Sequence, residues 1–351
     1  MAKRSRPANV ETDRIEGADH PRQTTRLIGQ DGALAIVSRA LRSGRPPQAW
    51  LICGPPGGGK ATLAYRIARY LLAYGACDQG PADLSVPAND PASVQVAAGS
   101  HPGLLVLKRS IDPKTDKLMT VLSVDEVRRL SSFFGMTSGA GGWRVALVDT
   151  ADDMNDNAAN ALLKLLEEPP SRAMLLVLSN TPGRLLPTIR SRCQRLNLRP
   201  LSEADMEAEL ARLLPDQSAA ERASLARLAR GSLGAALTLA GGEGLVLAEE
   251  ADRLIDQAAQ PDIPALFALA DKLSRITDGL DMLGAFLTQA LADRIRARAL
   301  GNQPHLTRWV GALEKLSRNF ARTEAIHLDP RQTLLSASRE MNTASRRAGT
   351  V

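Results

Sequence analysis

The chain has 351 residues, of which 44% are hydrophobic and 23% are charged, the usual balance of a globular protein with two or three domains. Aromatic residues make up only 3%, which disfavours an all-β sandwich and favours helices and α/β layers. The formal net charge of +6 permits contact with nucleic acid but does not require it. The three cysteines are too few for a disulfide framework or a four-thiolate zinc site.

Residues 1–26 are polar and lack the apolar stretch of a signal peptide, so this segment predicts a flexible tail. No apolar run in the sequence approaches the length of a membrane span. We therefore expect a cytoplasmic protein that has no membrane partner and binds no metal.

Between residues 27 and 200, short apolar runs alternate with segments whose apolar residues recur at helical spacing. The predicted strands are 49–53, 104–108, 144–149, 173–180 and 192–198, and the clearest helices between them are 61–75, 124–134 and 157–168. This alternation predicts a mostly parallel sheet covered by helices on both faces. The segment 76–103 is rich in Pro, Gly, Ala and Asp and is interpreted as a loop.

After Pro200 the pattern is helical to the end of the chain. A small helical domain is predicted at 201–243, followed by a larger helical domain at 244–351 whose clearest helix is 283–300. Breaks are expected at Pro261, Pro264 and Pro304, and the last ten residues, 342–351, are expected to fray.

Residues 54–62 read GPPGGGKAT and match the phosphate-binding P-loop pattern except that Ala61 replaces Ser or Thr. In such a loop the backbone N–H groups surround phosphate and Lys60 reaches its terminal oxygens. Ala61 lacks the hydroxyl that would hold Mg²⁺, and Thr62 is expected to point about 100° away from that position. The predicted nucleotide-binding residues are Gly54, Pro55, Pro56, Gly57, Gly58, Gly59, Lys60, Ala61, Thr62, Asp149 and Asn180.

Asp149 ends a predicted strand and is the expected second contact to Mg²⁺. The next residue, Thr150, cannot polarise an attacking water as the usual Glu would. Asp152 and Asp153 are near in sequence, but the turn after the strand should carry them away from the reaction axis. Asn180, at the end of another strand, is either a sensor of the terminal phosphate or a cap on its turn.

Three stretches together resemble one family: GPPGGGK, NAANALLKLLEEPP at 157–170 and SNTPGRLLPTIRSRCQ at 179–194. They resemble the AAA+ subunits of DNA polymerase clamp loaders, and among these the bacterial DNA polymerase III subunits with a degenerate nucleotide site. The resemblance implies an AAA+ domain, a helical lid and a helical collar that joins five subunits into an open ring. The implied partners are ATPase subunits and delta, with the sliding clamp and primed DNA bound by the whole assembly.

The resemblance also implies that Arg192, in the SRC motif, is an arginine finger that acts in trans on ATP held by a neighbouring subunit. A guanidinium there would stabilise the charge of the transition state. The alternative is a surface arginine that pairs with a local carboxylate. Ser191 is predicted to set the local turn beside this catalytic group, and Cys193 to pack.

Gly234 stands where ATP-hydrolysing members of the family carry a lid arginine, so Ala61, Thr150 and Gly234 remove three catalytic groups. The sequence therefore predicts a subunit that does not hydrolyse ATP but belongs to a polymerase holoenzyme, and ATP or ADP bound without hydrolysis remains open. The alternatives are an active motor subunit of the same family or, less well supported, a DNA-remodelling AAA+ protein or a stand-alone regulator. Many relatives carry a zinc module near Cys77 and His101, but no further cysteine lies between these two residues, and zinc is not expected.

The sequence does not decide the role of two sets of charged residues. Lys164, Glu167 and Glu168 are candidates for contacts between subunits, and the basic stretch 294–300 either faces DNA phosphates or is solvated. No DNA-binding residue is assigned.

Overall fold

The computed structural model describes residues 18–109, 119, 121–135, 142–276, 279–301, 306–326 and 329–348. Most of the predicted N-terminal tail, residues 1–17, lies outside these ranges. The chain divides into two compact units, Met1–Thr238 and Leu239–Val351. Among the helices in the described ranges, none is long and apolar enough to cross a membrane.

A parallel β-sheet forms the centre of the first unit. Its strands are β1 (Ala49–Cys53), β2 (Leu104–Leu107), β3 (Arg144–Val148), β4 (Ala173–Ser179) and β5 (Gln194–Asn197). They lie in the order β2-β3-β4-β1-β5, and every pair is parallel. Because both faces of such a sheet are covered, its central strands are continuous apolar runs, and all residues of β4 are buried.

Helices cover both faces of this sheet. They are α1 (Asp31–Arg42), α2 (Lys60–Tyr74), α3 (Pro91–Ala98), α4 (Val124–Gly135), α5 (Asp156–Glu167) and α6 (Pro187–Arg192). Successive β1 side chains point to opposite faces: Trp50 and Ile52 pack with α1 and α2, whereas Leu51 and Cys53 pack with α4, α5 and α6. The predicted α/β architecture is therefore confirmed.

Two local predictions in this unit were wrong. The segment 76–103 is not all loop, because Asp90 accepts a hydrogen bond from the Ala92 backbone N–H (2.8 Å) and starts helix α3, which ends at the left-handed Gly99. The strand predicted from residue 192 begins at Gln194, because helix α6 continues through Arg192. Arg192 therefore stands at a helix end.

Helices α7 (Glu203–Leu213), α8 (Ala219–Ala229) and α9 (Leu233–Ala240) follow the sheet. Ser202 and Ser218 cap the first two, the second through a capping box with Glu221. The helices after α9 are α10 (Gly244–Asp256), α11 (Ile263–Leu273), α12 (Gly279–Leu300), α13 (Thr307–Ile326) and α14 (Pro330–Ala348).

The second unit, which contains α10 to α14, has its own apolar core, in which Trp309 and Leu316 are fully or almost fully buried. Two predictions here were also wrong. Pro264 lies in the first turn of α11, where its missing N–H costs nothing, rather than at a break. The end of the chain does not fray from residue 342, since α14 continues to Ala348 with Ala344 and Ser345 buried.

Candidate functional site

The P-loop connects β1 to α2 and forms the floor of a cavity of about 390 Å³. Gly57 and Gly59 have positive φ angles, which glycine adopts without strain. The predicted site residues that line the cavity are Pro56, Gly57, Gly58, Gly59, Lys60, Ala61, Thr62, Asp149 and Asn180. Gly54 and Pro55 do not line it.

Lys60 lies at the start of α2 and is only 7% exposed. Its Nζ donates hydrogen bonds to the carbonyl oxygens of Gly54 (3.0 Å) and Pro55 (2.8 Å). Burial lowers the pKa of Lys60, and the negative charges of Asp149 and Asp152 partly oppose this shift. A phosphate that bound here would have to replace the two carbonyl oxygens as the partner of the ammonium group.

Thr150 stands next to Asp149, at the position where a catalytic glutamate was expected. Asp149 and Thr150 follow the carboxyl end of β3 and both line the cavity. The Thr150 hydroxyl donates a hydrogen bond to Asp149 Oδ1 at 3.3 Å. Since a threonine hydroxyl does not accept a proton from water at neutral pH, this pair supplies a carboxylate for a cation but no general base.

The two acidic residues beyond Thr150 form specific contacts. Asp152 accepts hydrogen bonds from the Ser179 hydroxyl (2.7 Å) and from the backbone N–H groups of Asn180 (2.5 Å) and Thr181 (3.3 Å). Asp153 lines the cavity and pairs with Arg109 at 3.2 Å. Asp152 therefore ties the segment after β3 to the end of β4.

Helix α9 lies directly against the P-loop. The Ser232 hydroxyl donates a hydrogen bond to the Pro56 carbonyl (2.7 Å), and the Gly234 N–H donates to the Gly57 carbonyl (3.1 Å). A Cβ atom on Gly57 would lie 2.8 Å from the Gly234 Cα atom. Gly234 therefore provides close backbone packing at the cavity and brings no side chain to a phosphate.

Arg192 and Ser191 lie at the other end of the sheet. Gln194 pairs with Trp50 near the amino end of β1, whereas the P-loop follows the carboxyl end of that strand. Arg192 and Ser191 line a second cavity of about 330 Å³ with Pro169, Pro170 and Cys193, among others. The structure thus places the two groups of predicted site residues in separate cavities.

The guanidinium of Arg192 has two contacts within the chain. Its Nη2 lies 2.9 Å from Glu167 Oε1, and its Nη1 donates a hydrogen bond to the Thr188 carbonyl at 3.2 Å. The Ser191 hydroxyl donates to the same carbonyl at 3.1 Å. The local carboxylate that the sequence left as an alternative partner is therefore present, at the end of α5.

Comparison with known proteins finds a matching family. The family described as DNA polymerase III, delta subunit, matches residues 29–202, the segment that holds the P-loop, Asp149 and Arg192. The match spans 174 of the 351 residues, just under half of the chain.

Individual proteins that are similar to this chain are also DNA polymerase III subunits. The chain is 42% identical over 185 residues to DNA polymerase III subunit delta' of Pseudomonas aeruginosa, which covers 52% of this chain and 53% of the relative. It is 36% identical to the delta' subunit of Escherichia coli, with 58% of both chains covered, and 32% identical to the gamma/tau subunit of Mycobacterium tuberculosis, with 55% and 31% covered. The matches to the two delta' subunits span between half and three fifths of each relative's length.

One solved structure has a similar fold. A DNA polymerase III gamma subunit-related protein of Thermotoga maritima matches 90% of this chain and 100% of its own, with 20% identity and a TM-score of 0.47. The family match, the relatives, the parallel sheet and the P-loop together confirm the predicted resemblance to the delta-prime subunits and the AAA+ fold.

Sequence analysis missed several charged residues around the first cavity. Arg109 follows β2, and because β2 ends at the same edge of the sheet as β1 and β3, that position was open to prediction. Glu209 on α7 is different: its side chain is 2% exposed and pairs with Arg26 (2.8 Å) and Arg212 (3.0 Å). No motif marks it: Arg212 lies three residues later on the same helix, whereas Arg26 comes from a separate segment.

Proposed function

We propose that this chain is the delta-prime-type, non-hydrolysing subunit of a DNA polymerase III clamp loader. In this role it supplies Arg192 in trans to ATP held by a neighbouring ATPase subunit, while the assembly places a sliding clamp on primed DNA during replication. Its partners are ATPase subunits and delta in a five-membered ring, and its location is the cytoplasm. The family match and the relatives' names support a place among DNA polymerase III subunits.

The observation that carries the proposal is the position of Arg192 relative to the chain's own P-loop. By the register of β5 on β1, Gln194 lies beside Trp50 and Arg192 precedes it at the end of α6, whereas the P-loop starts at Gly54. The four residues from Trp50 to Gly54 correspond to about 13 Å of strand, which is beyond the reach of an arginine side chain. A phosphate that meets Arg192 must therefore belong to another molecule.

The cavity above the P-loop supports the absence of hydrolysis. Ala61 has no hydroxyl for Mg²⁺, Thr150 replaces the expected base, and Gly234 brings only backbone to the site. The hydroxyl, the base and the lid arginine that are absent here each contribute separately to phosphoryl transfer. Their combined absence leaves a site that can hold phosphate through backbone N–H groups and Lys60 without activating water.

The test is ATP turnover by the reassembled ring with clamp and primed DNA. Arg192→Ala should reduce turnover at the neighbouring site by about 10³ or more, and total turnover by at least that site's share. The matched control is Arg190→Ala, which removes another exposed arginine from α6 and should leave turnover near that of the unaltered ring. Equal turnover for the Arg192→Ala and unaltered rings would contradict the finger assignment.

The alternative, an active motor subunit, is tested on the purified chain alone. The proposal predicts no ATP hydrolysis with Mg²⁺ beyond the background without protein. Hydrolysis that disappears in a Lys60→Ala variant would show that this chain is itself a motor.

We also propose that the first cavity binds ATP or ADP without hydrolysing it. The support is its size, the P-loop at its floor, and the retention of Lys60 and Asp149. Titration of fluorescent ATP or ADP into the purified chain should saturate, and Lys60→Ala should weaken binding by removing the cation that meets the phosphates. Absence of saturable binding at millimolar nucleotide would contradict this part alone.

A further inference from the structure

We infer that Glu167 is the positioning residue of Arg192: its carboxylate holds the guanidinium in the orientation in which it meets the neighbour's phosphate. This inference rests on the proposed function of Arg192 and adds to it a second residue, from a different helix.

The guanidinium is held from two sides. Glu167, at the end of α5, contacts Nη2 at 2.9 Å, and the Thr188 carbonyl in α6 accepts from Nη1 at 3.2 Å. A guanidinium carries five N–H donors in a rigid fork. These two contacts fix its plane and leave the other donors for phosphate oxygens.

Both contacts come from helices that are packed firmly. Leu162 of α5 and Ile189 of α6 are 0% exposed and belong to the same core cluster, on the face of the sheet that α4, α5 and α6 cover. The charged ends remain accessible, since the side chains of Arg192 and Glu167 are 37% and 51% exposed. A flexible side chain that is ordered in advance loses less entropy when it meets its target, so a carboxylate on a fixed helix favours the productive orientation.

The neighbouring Glu168 supplies a matched control. It follows Glu167 at the end of α5 and is also exposed. Its backbone N–H donates to the Lys164 carbonyl, but within the described residues its side chain has no hydrogen bond or ion pair. Glu167→Gln and Glu168→Gln therefore remove the same charge from adjacent positions, and only the first removes the charge beside Arg192.

The experiment measures kcat and KM for ATP in the reassembled ring with clamp and primed DNA. Glu167→Gln should lower kcat at the affected site about two- to fivefold, the range set by an exposed ion pair, with KM for ATP unchanged. Glu168→Gln should change neither. In an Arg192→Ala background, Glu167→Gln should cause no further loss, because the group that it positions is absent.

Three results separate the possibilities. An unchanged kcat for Glu167→Gln, in a ring where Arg192→Ala does lower it, would overturn this inference and leave the proposed function intact. An equal further loss in the Arg192→Ala background would also overturn it, since Glu167 would then act independently. If Arg192→Ala itself has no effect, the proposed function fails first.

Discussion

Gly57 determines both the turn of the P-loop and the close packing of α9 against it. Its φ of +69° allows the loop to turn, and its missing side chain leaves room for the start of α9. The carbonyl oxygen of the same residue accepts the Gly234 N–H. The loop conformation and the position of α9 therefore depend on the same atom group, so a change in one should be measurable in the other.

Gly57→Ala should loosen α9. A left-handed non-glycine residue costs about 1–2 kcal/mol, and the new Cβ would lie 2.7 Å from Ser232 Oγ and 2.8 Å from Gly234 Cα. We expect faster amide hydrogen exchange in Leu233–Ala240, measured by mass spectrometry. Gly32→Ala on α1, where a Cβ meets nothing within 4 Å, is the control and should leave that exchange unchanged. Equal exchange in both variants would contradict the close packing.

The thiols should differ in reactivity. Burial raises the pKa of Cys193 to about 12 and also raises the pKa of Cys53, whereas Cys77 is half-buried on the surface of the first unit. Thiolate is the reactive form, and at pH 8 a thiol with a pKa near 12 is thiolate in about one molecule in 10⁴. With an aromatic disulfide reagent at pH 8, only Cys77 should react rapidly in the folded protein, and all three thiols should react after denaturation. Fast labelling of Cys193 in the folded chain would contradict its burial.

At the level of elements, helices α12 and α13 of the second unit approach each other closely at Gly284. Gly284 of α12 is buried against the Phe320 ring of α13, and a Cβ there would lie 2.5 Å from the ring. The two helices can therefore pack tightly only where α12 has no side chain. Gly311, on α13, is the contrasting case, since a Cβ there meets nothing within 4 Å.

Alanine at these two glycines should have opposite effects. Gly311→Ala should stabilise the second unit by about 0.5–1 kcal/mol, the helix-propensity gain over glycine. Gly284→Ala gains the same propensity, but overpacking against Phe320 costs about 1–3 kcal/mol, so a net loss is expected. Thermal unfolding followed by circular dichroism should show a higher midpoint for the first variant and a lower one for the second. A higher midpoint for both would contradict the close contact.

The sequence predicts elements well where the pattern is local. The apolar strands and the P-loop are continuous in sequence, so the parallel sheet and most of the first cavity could be predicted. Helix α3 was missed because its capping signals, Asp90 and Gly99, lie in a segment whose composition resembles a loop. The contacts of Glu209 with Arg26 and of Ser232 with Pro56 could not be predicted, because these partners are distant in sequence and meet only after folding.

At the scale of the whole molecule, the chain has two chemically different ends of one sheet. The P-loop end lines a cavity of about 390 Å³ with Lys60 and Asp149, and the opposite end carries an exposed arginine that pairs with Glu167. In the proposed ring, catalysis depends on the second end and the first end is dispensable for turnover. This asymmetry is the central claim of the account.

The most direct test compares one substitution at each end in the same reassembled ring, with clamp-dependent and DNA-dependent ATP turnover as the readout. The proposed function predicts that Lys60→Ala leaves turnover close to that of the unaltered ring, whereas Arg192→Ala lowers it by at least the share of the neighbouring site. Substantial loss with Lys60→Ala and unchanged turnover with Arg192→Ala would contradict it, because the active site would then be this chain's own.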